Sequence, residues 1–208
     1  MAIVTGVRAF RGIVRLQLDG MEAAAIREKD FAEMPLEEGD AVDEEEYLDR
    51  MAARQMKDAC SMALSLLEAS EKTRAELERT LLRRGIVPGA ARAAVERAAE
   101  YRFVDDRRYA QRTAELNAAK DVGVYALKRK LRAKGVSEED AEEALGAFDD
   151  GQQKAACARV LAKIRYRYEE KPAREARAKC AQALARRGFS WDVISAVLEE
   201  HGFSDEEY

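Results

Sequence analysis

The stretch LKRKLRAKGVSEEDAEEAL, residues 127–145, carries a basic run into a glycine and then restarts on a serine followed by acids. It has the chemistry of one helix ending and another beginning. Basic side chains suit the negative C-terminal end of a helix dipole. Glycine takes the left-handed position after the last turn without a Cβ penalty, and Ser137 is a good N-cap. Two other stretches align with it on that glycine: LERTLLRRGIVPGAARAAV (77–95) and CAQALARRGFSWDVISAVL (180–198). In each, leucine stands four residues before the glycine (Leu81, Leu131, Leu184) and an apolar residue follows it (Ile86, Val136, Phe189). Ten residues after the glycine comes Val95, Leu145 or Leu198. Gly85, Gly135 and Gly188 lie 50 and then 53 residues apart, which marks an internal repeat.

The flanking residues complete each unit. Thr73 with Glu76 fits a capping box for the helix ending at Gly85. Val87-Pro88 opens the next helix with proline at its tolerated first position, and Ser190 caps the corresponding helix of the third repeat. Phe189 with Ile194 has the spacing of a hydrophobic staple. One more helical pattern precedes each pair, at about 44–69, 105–120 and 150–168. The first 20 residues differ: they are rich in β-branched residues, and VRLQL alternates apolar and polar as a half-buried strand does. A small β-hairpin or short sheet is expected over about 1–34, turning near Gly12 and at Asp19-Gly20, followed by the acidic connector MPLEEGDAVDEEEY. The fold class is therefore all-α, three tandem three-helix repeats with a small N-terminal β segment. The expected divisions are 1–43, 44–102, 103–148 and 149–208.

Composition narrows the function. The chain has 208 residues, 37% charged and 47% hydrophobic, with 12 Gly and 3 Pro, which suits a helical protein. No stretch approaches the roughly 20 apolar residues of a membrane span, and the N-terminus lacks a signal-peptide core, so a cytoplasmic protein is expected. Cys60, Cys157 and Cys180 are too widely spaced for a metal pair and lie among alanines and leucines, where cysteine packs as a small apolar residue. The single histidine, His201, makes a catalytic triad or zinc site improbable on residue supply alone. Phosphate-loop and dinucleotide-turn glycine patterns are absent. The expectation is a non-enzyme without cofactor or metal.

Charge is strongly segregated. Residues 1–50 hold 6 basic and 13 acidic residues, 107–134 hold 9 and 2, and 154–188 hold 11 and 3. Between the basic blocks, SEEDAEEALGAFDD carries only acids. Such polarity suits a partner with its own charge pattern or an anionic polymer, although helical surfaces also need charge for solubility. The candidate partner or DNA contacts are Lys128, Arg129, Lys130, Arg132 and Lys134 in the first block. In the second they are Lys163, Arg165 and Arg167, interleaved with Tyr166 and Tyr168, then Arg174, Arg177, Arg186 and Arg187. The most site-like cluster, RFVDDRRYA (102–110), reads instead as a helix start. Asp105 fits its N-cap, Asp106 its first turn, and Val104 and Tyr109 the staple positions. Adjacent helical residues project about 100° apart, so the two carboxylates do not converge on one proton or metal.

These residues also resemble a known family. ALSLLEASEKTRAELERTLLRRG (63–85), YRFVDDRRYA (101–110), the run from Gly123 to Gly135 and ALARRGFSWDVI (183–194) are similar to RecX, the bacterial regulator of the RecA recombinase. The resemblance spans about 60–200. In EASEKTRAEL the chain departs from the family's more usual arginine, while Thr73 still supplies the cap. The resemblance implies three three-helix modules in an elongated, curved array. It also implies a non-enzymatic partner of the RecA filament on DNA, bound in the filament groove; a monomer is expected. Such proteins suppress ATP hydrolysis, filament growth, strand exchange and the co-protease activity behind the SOS response. Some members bind single- or double-stranded DNA directly. Two other classes fit the residues: an autonomous DNA-binding protein of helix-turn-helix-like repeats, and a helical scaffold presenting a concave surface.

Overall fold

A computed structural model of the chain describes residues 1–118, 120–146 and 148–203. The chain forms two compact units, Met1–Asp105 and a second from Asp106 onward.

The first unit opens with three antiparallel strands, β1 (Ala2–Phe10), β2 (Ile13–Leu18) and β3 (Met21–Arg27). Both hairpins close over two residues, Arg11-Gly12 and Asp19-Gly20, all four with positive φ. That is the primed turn whose twist matches the strands. A helical turn, α1 (Glu28–Phe31), follows. The acidic connector then supplies a fourth strand, β4 (Ala41–Val42), on the free edge of β1, giving the order β3-β2-β1-β4. The β segment is thus a small sheet that extends past residue 34, because the connector returns to pair with Ala2 and Ile3.

Three helices complete the unit: α2 (Glu44–Ala69), α3 (Arg74–Arg83) and α4 (Pro88–Glu100). Asp43 caps α2 by accepting from the Glu46 N–H, Thr73 and Glu76 form the expected capping box, and Pro88 opens α4. One face of the sheet (Val14, Leu16, Ala24, Ile26) packs into the same core as Met51, Leu77, Leu81 and Ile86. Alanines at 59 and 63 on α2 and at 90, 91, 94 and 98 on α4 are all buried, allowing these helices to approach closely. At the end of α4, Arg102 stands in the left-handed region at φ 57 where the other repeat turns use glycine. An L-residue there costs about 1–2 kcal/mol.

The second unit holds α5 (Asp106–Ala118), α6 (Val124–Ala133) and α7 (Glu138–Leu145), with a core of Ala110, Ala114, Leu127, Leu131, Val136, Ala141, Ala144 and Leu145. Next come α8 (Asp150–Ile164), a 3-10 turn at Arg165–Tyr168, α9 (Ala173–Arg186) and α10 (Trp191–Glu200). Their core includes Leu161, Leu184, Phe189, Ile194 and Leu198.

The three repeat glycines share one hydrogen-bond pattern. The N–H of Ile86, Val136 or Phe189 donates to the carbonyl of Leu81, Leu131 or Leu184, at 3.1, 3.1 and 3.4 Å. The glycine N–H donates to the residue three back in each case. These are Schellman caps, in which a leucine and the apolar residue after the glycine close over the helix end. All six side chains are buried. The repeat signature is therefore a helix-stop device whose apolar pair also sits in the core.

DDRRYA does start a helix: α5 begins at Asp106. Of its flanks, Val104 is buried in the core of the first unit and Tyr109 packs against that of α5–α7. Cys157 and Cys180 are fully buried in the third repeat, where desolvation pushes the Cys157 thiol up to about 12 and raises that of Cys180. Neither supplies a thiolate near neutral pH.

Candidate functional site

The two basic blocks meet in the second unit through two glycines. The N–H of Gly123, the residue before α6, donates to the Arg187 carbonyl at 3.1 Å, and the Tyr125 N–H donates to the Gly188 carbonyl at 2.9 Å. The Val124 N–H donates to Oε1 of the buried Gln153 at 3.2 Å. The first turn of α6, which has no intrahelical partners for its N–H groups, is thus satisfied by the third repeat. Its positive dipole end faces the negative end of α9. A Cβ on Gly123 would lie 2.1 Å from the Gly188 carbonyl, and one on Gly188 would lie 2.2 Å from the Ala126 nitrogen. Only glycine at both positions permits the approach.

This junction brings Arg129 of α6 to the end of α9, which carries Arg186 and Arg187; Lys130 follows Arg129 on α6. The Arg129 guanidinium donates to the Arg186 carbonyl at 3.4 Å. All four side chains are exposed. Among the described residues, none of them lies within ion-pair distance of a carboxylate. Arg132, on the same helix as Arg129, is also exposed.

Several other candidates are occupied. Lys128 bridges Glu138 at 2.9 Å and Glu142 at 2.7 Å, holding α7 on α6; the Glu142 and Glu138 hydrogen bonds raise its pKa. Part of the acidic segment therefore serves its own repeat, as does Glu143, which pairs with Arg107. Lys163 and Arg159 both hold Asp121, at 2.6 and 2.8 Å. The Arg177 guanidinium donates to the Phe203 carbonyl at 2.9 Å, and Lys134 is half-buried. Arg165, Arg167 and Arg174 are exposed. The two tyrosines divide: Tyr166 is exposed with Arg167 stacked 5.7 Å from its ring centre, whereas Tyr168 packs against the third-repeat core.

Asp121 gives a pH test of this scaffold. Hydrogen bonds from Lys163 and then Arg159 hold its carboxyl below the ordinary carboxylate range. A depressed folded pKa stabilises at pH above the unfolded value, and that contribution is lost as pH falls through the folded one. Asp121→Asn is expected to melt below the parent at neutral pH and to match it near about pH 2 in thermal scans. The gap is small, because Arg159 and Lys163 are 50% and 68% exposed.

Among the described residues, no group of three or more His, Cys, Asp or Glu is placed to hold a metal ion, and no helix is long and apolar enough to cross a membrane. The fold and this surface define a protein of tandem three-helix modules that presents an unpaired basic face at a module junction. Models of the first, second and third three-helix domains of RecX match residues 59–97, 105–145 and 152–198 in succession. The chain belongs to the RecX family. It is 36% identical over 135 residues to the regulatory protein RecX of Xanthomonas citri, covering 65% of this chain and 82% of that one. It is 25% identical over 195 residues to the regulatory protein RecX of Bacillus licheniformis, covering 93% and 74%. A crystal structure of regulatory protein RecX shares the fold, with a TM-score of 0.67 at 23% identity over 96% of this chain and all of that chain, 100%.

Two residues that sequence reasoning passed over hold the scaffold. Gln153 caps α6 as described. Gln55, in the middle of α2, is fully buried: its amide N–H group donates to Asp30 at 2.7 Å and to the Gly85 carbonyl at 2.9 Å, and its oxygen accepts the Val87 N–H at 2.7 Å. Its signal was available, a polar residue inside the buried series Tyr47, Met51, Ala59, Ala63 of one helix face.

Proposed function

We propose that this chain is a non-catalytic inhibitor of the RecA recombinase. It binds the groove of the RecA filament on DNA and lowers ATP hydrolysis, strand exchange and co-protease activity, and so tunes homologous recombination and the SOS response. Family membership supports the regulatory role. The observation that carries the contact surface is the Gly123–Gly188 junction, which brings Arg129 to the Arg186 carbonyl and so joins the exposed cations of α6 to those at the end of α9, where Arg129, Lys130, Arg186 and Arg187 have no carboxylate partner among the described residues. A filament groove offers both acidic protein surface and phosphates to such a patch, and charge of one sign steers and holds a partner of the other.

The test is ATP hydrolysis by the host's RecA on single-stranded DNA with this protein titrated in. A marked fall at well under one copy per RecA monomer is expected. Lys130→Glu with Arg186→Glu should shift the inhibitory concentration upward by roughly tenfold or more, as two lost charge contacts of about 1 kcal/mol each imply. Lys128→Glu should act mainly on stability, since Lys128 is bound to Glu138 and Glu142. An unchanged ATPase rate with the folded protein would remove this reading.

A further inference from the structure

The acidity of the first 50 residues hides a basic face. Residues 28–50 hold 11 of the 13 acids, whereas 1–27 hold four arginines against Asp19 and Glu22. Three of those arginines lie together. Arg8 stands directly opposite Arg15 across β1 and β2, and Phe10 opposite Ile13. Alternation along the strands puts these four on the face turned away from Val14, Leu16 and Ile26, with Ala25 of β3 beside Arg15. Arg11, in the turn, lies over Phe10 at 5.0 Å from the ring centre. Like charges directly opposite on a sheet are destabilising, and Phe10 is 69% exposed. Of the three arginines only Arg15 meets a carboxylate among the described residues, Glu22 at 3.1 Å. The face runs into a cleft of about 510 Å³ whose far wall is the end of α3, Leu82 and Arg83.

We propose that this outer sheet face binds single-stranded nucleic acid, with a base stacked on Phe10 and backbone phosphates on Arg8, Arg11, Arg15 and Arg83. An exposed ring among cations, on a sheet floored by small residues, matches the general demands of a single strand. Unpaired bases offer their faces to an aromatic ring, and the backbone follows the positive charge. A duplex conceals those base faces, so the ring would gain nothing from it. The site shares no residue with the junction patch and does not depend on the recombinase reading.

The experiment is fluorescence anisotropy of labelled oligo(dT) with the full chain and no recombinase, over a range of salt. Binding at low salt is expected. Phe10→Ala should weaken it roughly tenfold, in line with base–aromatic stacking, while Phe10→Trp keeps it. Arg8→Ala with Arg15→Ala should flatten the log–log salt dependence by about 1.4, at about 0.7 per phosphate contact on a single strand. The proposal is overturned if the sheet variants bind like the parent, or if nothing binds at low salt. It is likewise overturned if the sheet variants lose only RecA inhibition, which would make the face a protein contact. All substituted side chains are exposed, and a thermal scan of each variant checks the fold.

Discussion

Gln55→Leu is expected to lower the stability of the protein by about 3 kcal/mol, read as a drop in urea midpoint at unchanged slope. Leucine fits the volume and suits α2, so the loss comes from the partners it abandons. The Val87 N–H, at the N-cap of α4, loses its acceptor in a fully buried place, and an orphaned buried donor costs about 1–3 kcal/mol. Asp30 loses one hydrogen bond to a charged group, which contributes about 1.5–3 kcal/mol. It keeps Arg27 at 2.6 Å, and the Gly85 carbonyl keeps the Arg27 N–H, so not all of the network falls. Gln55→Glu supplies a second discriminating result. The introduced carboxyl retains the acceptor for Val87 but loses the donors and faces Asp30, so its own pKa is raised. A raised carboxyl destabilises at neutral pH and ceases to as pH falls, so the deficit against the parent should shrink on mild acidification. Gln55→Leu should show no such recovery, and equal pH profiles for the two variants would refute the network.

Gly188→Ala is expected to cost about 3–4 kcal/mol, the sum of left-handed strain of about 1–2 and the loss of two inter-repeat backbone hydrogen bonds of about 1 each. The glycine has φ 88, and its added Cβ would meet the backbone of Ala126 at 2.2 Å, an atom that cannot rotate away. Gly202→Ala is the matched control. Gly202 has φ 86 in the same kind of helix stop after α10, but a Cβ there meets nothing within 4 Å. Strain alone then predicts a loss of about 1–2 kcal/mol. The difference between these two substitutions, measured by thermal unfolding, isolates the junction. If they destabilise equally, α6 does not rest on α9 in solution, and the basic patch built on that contact dissolves with it.

Much of this was legible before any coordinates. A glycine preceded at four residues by leucine and followed by an apolar residue is the local chemistry of a Schellman cap, and local chemistry survives without knowledge of the partner. Thr73, Pro88, Ser137 and Ser190 open their helices as their types require. What could not be read depends on distant pairing. The two residues of β4 carry no strand signal; they pair because Ala2 and Ile3 offer an open edge. The left-handed position at the end of α4 carries no such mark, because arginine, not glycine, occupies it. Lys128 looked like a free cation on a basic helix, yet Glu138 and Glu142 fold back on it across the next turn. The patch itself needs Gly123 to find Gly188, which no periodicity announces. The arginines of the sheet were masked by counting them together with the acidic connector.

One feature of the first repeat bears on how the chain opens and closes. The Arg27 N–H donates to the Gly85 carbonyl, and a Cβ on Gly85 would press on that same Arg27 nitrogen at 2.8 Å. The last residue of the sheet is thus seated on the helix stop of α3, with Gln55 bonded to the same carbonyl. In hydrogen-exchange language, the amides of Arg27, Ile86 and Val87 belong to one cooperative unit and should open together, at a single free energy. The sheet is not an appendage to be trimmed. A chain shortened to begin at α2 would expose the flank of Leu81 and Ile86 and release the strand that pins their turn. What the sheet face touches is therefore best learned by changing its exposed side chains one at a time, with the strand left in place.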